Sequence, residues 1–128
     1  MSNNDTLDVV GVICIDKLGR VLLVEGSDSG KWSFPKGRRK QLETPHQGAL
    51  REAYEETGIN LKNLPIQAKI HLRYGTYYLY VFDKSGDEIE LDDPVTPEEI
   101  TSVSWVDGDS LVRLKKNADL RVYTSQRG

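Results

Sequence analysis

The sequence predicts a mixed α/β fold, in which several short strands flank one clearly delimited helix. Apolar and β-branched residues fill positions 9–15, and aromatic residues are frequent at positions 77–82, as is typical of strands. Between these runs, the segment from Thr44 to Gly58 carries the start and stop signals of a helix. Strands on both sides of a helix favour a mixed sheet that is covered on its faces.

The remaining elements follow the same two patterns. Before the helix, we predict strands at positions 9–15 and 21–24, joined by a turn at 16–19, and a short extended segment at 32–35. After the helix, we predict strands at 66–70, 77–82 and 103–106, a polar loop or hairpin at 83–93, and a second helix at 110–116.

The first helix has a marked beginning and a marked end. Thr44 can serve as the N-cap, Pro45 takes the first helical position, and Gln47 completes a capping box. Gly58 is well placed to follow the last turn in the left-handed conformation. Residues spaced by three and four positions form the face that we expect to point into the core: His46, Leu50, Ala53, Tyr54 and Thr57.

Three glutamates lie on the opposite face of this helix. Glu52, Glu55 and Glu56 fall within about 100° of each other, and like charges at this spacing repel. A bound divalent cation would remove that repulsion, and carboxylate oxygens are ligands that Mg²⁺ prefers. The pattern therefore favours a metal site, with a solvated acidic face as the alternative.

A short basic run precedes the helix. Four cations occupy five positions: Lys36, Arg38, Arg39 and Lys40. A basic patch beside an acidic cluster can hold a polyanion at one end and a metal ion at the other, although solvated surface charge is the simpler alternative. The formal net charge of −3 gives the chain as a whole no attraction to nucleic acid.

Length and composition set the remaining limits. A chain of 128 residues is expected to form one domain, here residues 1–128, with a single core. No apolar run approaches the roughly 20 residues of a membrane span, so no membrane partner is expected. The single cysteine, Cys14, excludes an intrachain disulfide and is expected to be buried in a strand, which fits a cytoplasmic location. The sequence does not indicate an oligomeric state.

The helix and the loop before it together resemble the Nudix box. That motif reads G, five residues, E, seven residues, R-E, an apolar residue, any residue, E-E, any residue, G and an apolar residue. The seven fixed positions are Gly37, Glu43, Arg51, Glu52, Glu55, Glu56 and Gly58. At ordinary residue frequencies such a match arises by chance about once in 10⁸ starting points or more rarely. The resemblance implies a Nudix α/β/α sandwich and a hydrolase that cleaves phosphoric anhydride bonds by attack of water at phosphorus.

The resemblance also implies a set of metal ligands. Glu52, Glu55 and Glu56 would bind Mg²⁺, with Mn²⁺ as the alternative, and one of them would also take a proton from water. The backbone carbonyl of Gly37 would approach the same metal. Arg51, which we include in the catalytic set, would orient a glutamate through a bidentate contact. Glu43 would either stabilise the loop or act as a secondary ligand.

A further acid is expected from another part of the fold. Nudix enzymes often place one just before the last strand, six residues ahead of its tryptophan. Counting back from Trp105 gives Glu99, and the adjacent Glu98 is the alternative. The competing interpretation is that both are exposed loop acids.

The residues at the entrance to the box narrow the choice of substrate. Positions 32–37 read W-S-F-P-K-G, which resembles the W-x-F-P-K-G of mRNA-decapping Nudix enzymes, and related P-K-G entrances occur in diadenosine and viral polyphosphate hydrolases. Trp32 would either stack on a base or pack in the core. The residues expected to contact phosphates are Lys36, Arg38, Arg39 and Lys40. The predicted partner is a nucleotide or polyphosphate substrate, with capped RNA as one candidate.

The sequence also departs from the decapping pattern. It has no room for the N-terminal regulatory domain of cellular decapping enzymes, and its basic stretch after the box is weak: Arg113, Lys115, Lys116 and Arg121. Dinucleoside polyphosphates and diphosphoinositol polyphosphates therefore remain alternative substrates. A rival of another class is a Nudix module that binds a nucleotide without cleaving it. Such modules usually lose box glutamates, all of which are present in this chain.

Overall fold

A computed structural model describes residues 8–127 as seven strands and three helices. The strands are β1 Val9–Ile15, β2 Val21–Gly26, β3 Trp32–Ser33, β4 Lys36–Arg38, β5 Ala68–His71, β6 Gly75–Val81 and β7 Ile100–Val106. The helices are α1 Pro45–Thr57, α2 Gly108–Arg113 and α3 Ala118–Arg127, with a short 3-10 turn at Gly86–Glu88. No helix within the described residues has the length and apolar character that crossing a membrane requires.

The strands form one mixed sheet, as the sequence predicts. Its main path runs β3-β2-β1-β6-β5, with β7 paired to β2 and β4 paired to β1. Among the strands described above, β1 and β6 are the one parallel pair, and they pair along the whole of β1. In contrast, β1 and β2 pair only where Ile15 meets Val21. The segment that contains β3 and β4 pairs with β2 at one end and with β1 at the other, so it spans the place where those two strands part.

Two apolar clusters cover the two faces of this sheet. Neighbouring residues of β1 point to opposite faces, so Cys14 lies in one cluster and Ile13 in the other. The first cluster packs against α1 through Ala49 and Ala53, and the second against α3 through Leu120. Helices on both faces of a mixed sheet give the α/β/α sandwich that the sequence predicts. Cys14 is fully buried, as expected, and burial raises the pKa of its thiol.

The ends of α1 confirm the predicted caps. The hydroxyl of Thr44 accepts a hydrogen bond from the Gln47 amide at 3.1 Å, and the Gln47 side chain accepts one from the Thr44 amide at 3.0 Å. Gly58 follows the last turn with φ 77°. A side chain there would be strained and would also collide with Asp92, so the position favours glycine for two separate reasons.

The inward face of α1 differs in part from the prediction. Ala53 and Thr57 are buried as expected, but Tyr54 is 51 % exposed, so its predicted inward position is wrong. Ala49 and Glu56 are buried instead. The face that meets the sheet is centred on Ala53, and Tyr54, about 100° further round the helix, points away from it.

Two elements lie outside the sequence prediction. Strand β4 consists of Lys-Gly-Arg, which has no strand propensity, and it forms because it pairs with β1. Helix α3 was not predicted because its apolar pattern is sparse, with Leu120 and Tyr123 as its buried residues. The predicted helix at 110–116 is present but begins earlier and ends earlier, since Asp107 caps it by accepting from the Ser110 amide at 2.8 Å.

Helix α3 is fixed to the sheet by a buried carboxylate. Asp119 is 2 % exposed and accepts two hydrogen bonds, one at 2.8 Å from the Tyr77 hydroxyl and one at 2.9 Å from the Tyr74 amide. Asp119 also lies in the first turn of α3, where the helix dipole favours a negative charge. Burial and this hydrogen bond raise the pKa of the Tyr77 hydroxyl.

The substitution Tyr77→Phe should lower the free energy of unfolding by about 1–3 kcal/mol, because it leaves a buried carboxylate with one donor fewer. Urea unfolding followed by circular dichroism measures this change. Tyr74→Phe is the matched control, since the Tyr74 side chain is 61 % exposed and only its backbone amide bonds Asp119. If the two variants are equally stable, Asp119 does not fix α3 in this way.

Candidate active site

The candidate site forms where β4 lies beside α1. Strand β4 pairs with β1, and α1 packs against both strands. This places the Glu52 carboxylate against Gly37, so closely that a Cβ atom at position 37 would collide with it. The amide of Lys36 donates to Glu56 Oε1 at 3.1 Å. Glycine at position 37 therefore makes room for a carboxylate from the helix.

A cavity of about 350 Å³ opens at this junction. Three carboxylates line it, from Glu52, Glu56 and Glu99, together with three basic residues, Lys31, Lys36 and Arg38. The other lining residues come from β2, from the β2–β3 connection, from β3, β4 and β7, and from the position just before α3: Gly26, Ser29, Ser33, Gly37, Ile100 and Asn117. The structure thus brings acids and cations that are distant in sequence to the wall of one cavity.

Two larger cavities lie elsewhere among the described residues. One of about 700 Å³ contains none of the seven fixed residues of the box, and it is lined by three carboxylates and two lysines: Asp83, Glu88, Glu90, Lys62 and Lys84. The other, of about 540 Å³, lies beside α2 and α3, and its described lining is mainly apolar and contains no carboxylate. We assign the candidate site by its residues rather than by volume, because the 350 Å³ cavity is the one lined by Gly37, Glu52 and Glu56 of the predicted box.

Arg51 connects the acids to the loop that precedes α1. Its Nε and Nη2 donate to the two oxygens of Glu43 at 2.5 and 3.1 Å, and Nη2 also donates to the Arg38 carbonyl at 3.0 Å. Its Nη1 donates at 3.1 Å both to Glu52 Oε2 and to Glu55 Oε1. These bonds use all five N–H donors of the guanidinium, which fixes its orientation.

Burial dominates the electrostatics of the two inner acids. Glu56 is 7 % exposed, and burial raises the pKa of its carboxyl to about 8. Burial also raises the pKa of Glu52, and the ion pair with Arg51 offsets this only in part. The negative charge of Glu99 raises the pKa of both. In contrast, hydrogen bonds from Arg51 lower the pKa of Glu43.

The loop that carries Glu99 is attached to the end of α1. The amide of Asp92 donates to the Thr57 carbonyl at 2.9 Å, and the amide of Val95 donates to the Glu55 carbonyl at 2.7 Å. On the other side, the amide of Ser27 donates to the Glu99 carbonyl at 2.9 Å. These bonds bring Glu99 to the cavity, whereas the neighbouring Glu98 is not among the lining residues.

Several predicted site residues lie outside the cavity wall. Glu55 holds Arg51 instead, with 31 % of its side chain exposed. Trp32 is half-buried and packs against the second apolar cluster. Arg39 donates to the Glu43 carbonyl at 2.7 Å and to Asp8 at 3.2 Å. Lys40 is exposed beside the loop.

Four residues that line the cavity are not predicted from the sequence. Ser29 and Lys31 belong to the connection between β2 and β3, Ser33 follows in β3, and Asn117 comes just before α3. The glycine- and serine-rich composition of this connection, close to the box in sequence, is a signal from which Ser29 and Lys31 could have been predicted. Nothing in the sequence relates Asn117 to the box, because only the fold brings α3 to this edge of the sheet.

The acids of the cavity fit a divalent cation. A carboxylate as buried as that of Glu56 is costly unless it is paired or binds a metal, and within residues 8–127 its hydrogen-bond donor is the backbone amide of Lys36. Among residues 8–127, no three His, Cys, Asp or Glu side chains are already arranged as a metal site. Mg²⁺ does not require such a cage, since it usually takes one or two carboxylates and completes its shell with waters and phosphates.

Comparison with known proteins identifies the family. A sequence model of the NUDIX domain matches residues 5–126. The mRNA-decapping enzyme subunit 2 of Arabidopsis thaliana is 32 % identical over 107 residues, which cover 76 % of this chain and 27 % of that protein. An RNA pyrophosphohydrolase of Actinobacillus succinogenes is 34 % identical over 67 residues, which cover 51 % of this chain and 34 % of that protein.

The fold comparison agrees. A bifunctional NMN adenylyltransferase/ADP ribose pyrophosphatase from Francisella tularensis superposes with a TM-score of 0.75 at 19 % identity, over 99 % of this chain and 41 % of that one. The chain therefore belongs to the NUDIX family, and the two sequence relatives above are named as a decapping enzyme subunit and as a pyrophosphohydrolase. It spans about a quarter to a third of the length of those two sequence relatives.

The substitution Gly37→Ala should reduce hydrolysis by about 10²-fold or more, because the new methyl group displaces the Glu52 carboxylate. The fold should persist, since the end of a glutamate side chain can move aside. Measurements of kcat/KM with Mg²⁺ and of Tm separate the two effects. Gly108→Ala is the control, because a Cβ atom there would meet nothing within 4 Å. Equal activity of the two variants would contradict the proposed geometry.

The stability of the metal-free chain should fall as the pH rises from about 5 to about 8. Glu56 has a pKa of about 8 when folded and an ordinary value of 4.5, so the folded state holds a proton that the unfolded state releases within this window. The loss should approach roughly 1.4 kcal/mol per pH unit and then level off above the folded pKa.

Urea unfolding of the wild type and of Glu56→Gln, both in a metal chelator, measures this dependence. Glu56→Gln should lack the Glu56 contribution, so the two stabilities should diverge as the pH rises. Glu98→Gln, which alters an acid outside the cavity, should follow the wild type. Parallel curves for the wild type and Glu56→Gln would show that the Glu56 pKa is not raised.

Proposed function

We propose that this chain is a divalent-metal-dependent pyrophosphohydrolase that cleaves the phosphoric anhydride at the 5′ end of RNA, with capped mRNA as the leading substrate. The observation that carries the proposal is one cavity lined by three carboxylates and three basic residues. Mg²⁺ is the expected ion, and Mn²⁺ is the alternative. The cavity can thus hold a metal ion and the phosphates of a substrate together.

The metal would be held by the helix and by β4. Glu52 and Glu56 line the cavity, and the Gly37 backbone lies against Glu52, so these three residues are the proposed ligands. Glu55 remains a predicted ligand, and its carboxylate would have to leave Arg51 to reach the ion. When bound, the ion supplies neutralisation of phosphoryl charge and a lower pKa for the attacking water.

The other charged residues have distinct roles in the proposed reaction. Glu99 is exposed on its loop and faces the cavity, so it would take the proton from the attacking water. Lys36 and Arg38 would bind the phosphate oxygens on which negative charge develops. Arg51 would keep Glu52 in place without touching the substrate. Lys40, which is exposed outside the cavity wall, would meet a longer substrate such as RNA. The Arg39 side chain is 10 % exposed and would instead support the loop through the Glu43 carbonyl.

The choice of RNA rests on the sequence relatives. One is named as a decapping subunit and another as an RNA pyrophosphohydrolase, and both names refer to RNA. The W-S-F-P-K-G entrance at positions 32–37 points the same way. Diadenosine and diphosphoinositol polyphosphates are the alternative substrates. A non-catalytic module is disfavoured, because the four glutamates of the box are all present.

The chain would act as one catalytic unit. The described strands form a single sheet with one apolar cluster on each face, which supports a single Nudix domain over residues 1–128. A cytoplasmic location stays a prediction, supported by a buried, unpaired cysteine.

With Mg²⁺, the wild type should convert capped RNA to 5′-monophosphate RNA and release 7-methylguanosine diphosphate. Glu56→Gln should lose about 10²-fold or more of this activity while it stays folded. Chromatography of the released nucleotide measures the reaction, with 5′-triphosphate RNA and diadenosine tetraphosphate in parallel. Turnover confined to diadenosine tetraphosphate would overturn the RNA assignment.

The adjacent pair Glu99→Gln and Glu98→Gln tests the role of the second acid. Both variants remove one charge from the same loop, but only Glu99 lines the cavity. We expect a loss of about 10²-fold or more in kcat for Glu99→Gln and little change for Glu98→Gln. The reverse order would show that Glu98 is the catalytic acid of this loop.

A further inference from the structure

The connection between β2 and β3 forms a fixed wall of the cavity. It is closed by a bond from the Gly26 amide to the Lys31 carbonyl at 2.9 Å, and the Lys31 amide donates to the Ser29 hydroxyl at 3.1 Å. The Gly30 amide donates back to the Gly26 carbonyl at 2.9 Å. These short-range bonds give the connection a defined shape.

Both flanks of this connection are also attached to the rest of the site. On one side, the Ser27 hydroxyl donates to the Glu98 carbonyl and its amide to the Glu99 carbonyl. On the other side, Lys115 Nζ donates to the Ser29 carbonyl at 3.1 Å. The connection is thus held between the segment that carries Glu99 and the segment before α3, so the backbone of Lys31 keeps its place relative to the acids, while its side chain is exposed.

The ammonium group of Lys31 takes no part in the described interactions that hold the fold together. It lines the cavity, yet within residues 8–127 the structure shows no ion pair or hydrogen bond of its ammonium group. Other lysines nearby are engaged, since Lys115 holds Ser29 and Lys116 Nζ donates to the carbonyls of Leu111 and Leu114. A cation in a cavity with three carboxylates and no partner of its own is available to a ligand.

The two sets of cavity cations lie on different walls. Lys36 and Arg38 belong to β4, which pairs with β1, whereas Lys31 precedes β3, which pairs with β2. Glu52 and Glu56 come from α1, which packs on β4. The two phosphates of the cleaved anhydride must lie by the metal ligands and the β4 cations. A contact with Lys31 on the other wall requires a further anionic group on the same substrate.

We propose that Lys31 is a specificity-determining residue that binds a third phosphate, so that the enzyme selects substrates with a chain of at least three phosphates over diphosphates. This inference rests on the proposed function, in that it assumes cleavage of a phosphoric anhydride in this cavity. It extends that function by assigning a phosphate-binding role to a residue outside the Nudix box.

Binding of non-hydrolysable nucleotides tests the proposal without turnover. The probes are guanosine triphosphate and guanosine diphosphate with methylene bridges in place of the anhydride oxygens, titrated calorimetrically in Mg²⁺. Lys31→Gln should weaken the triphosphate analogue about tenfold or more, because it removes a charged hydrogen bond, and should change the diphosphate analogue less than about threefold. Lys31→Arg should restore most of the loss, since it keeps the charge.

Lys62→Gln is the matched control, because Lys62 is exposed on the connection after α1, outside this cavity, and its loss changes the net charge equally. It should bind both analogues as the wild type does. Equal weakening of both analogues by Lys31→Gln, or no weakening, would overturn the proposal. A wild type that selects the triphosphate through Lys31 but cleaves no RNA would support it and overturn only the RNA assignment.

Discussion

The site depends on the hydrogen bonds of Arg51. This guanidinium joins the acidic face of α1 to the loop before the helix, through Glu43 and the Arg38 carbonyl, and it also bonds Glu52 and Glu55. Without a cation among them, the carboxylates would repel each other on one helical face. All five N–H donors of the planar guanidinium are used. Lysine, which has three donors on a single nitrogen, could not replace it.

Arg51 leaves one acid without a cationic hydrogen-bond partner. Glu56 is buried and accepts a hydrogen bond from the Lys36 amide, so its charge is costly before any metal binds, as its raised pKa of about 8 indicates. A divalent ion would remove that cost by displacing the proton, and metal affinity and pH are therefore coupled. Burial of this carboxylate lowers the stability of the metal-free fold above neutral pH, and local costs of this kind are common at functional sites.

The parts of the site that the sequence predicts are those governed by local rules. The caps at Thr44 and Gly58 and the shared face of Glu52 and Glu56 follow from helical geometry within one segment. Lys31, by contrast, reaches the cavity only because β2 and β3 pair and their connection is attached elsewhere in the chain. The outward position of Tyr54 was missed because periodicity locates the apolar face only to within about one residue.

Some site residues lie in one segment, and others are brought to the cavity only by the fold. This difference explains why the reaction is easier to infer from the sequence than the substrate. The residues proposed to hold the metal lie in one continuous stretch, from Gly37 to Glu56, and their mutual positions are set by β4 and α1. The walls that would meet the rest of the substrate come from the β2–β3 connection, from Glu99 and from Asn117. Loops tolerate change better than the elements that they connect, so substitutions there can alter substrate choice and leave the metal ligands in place. Members of one family can therefore share the box and still be named for different substrates.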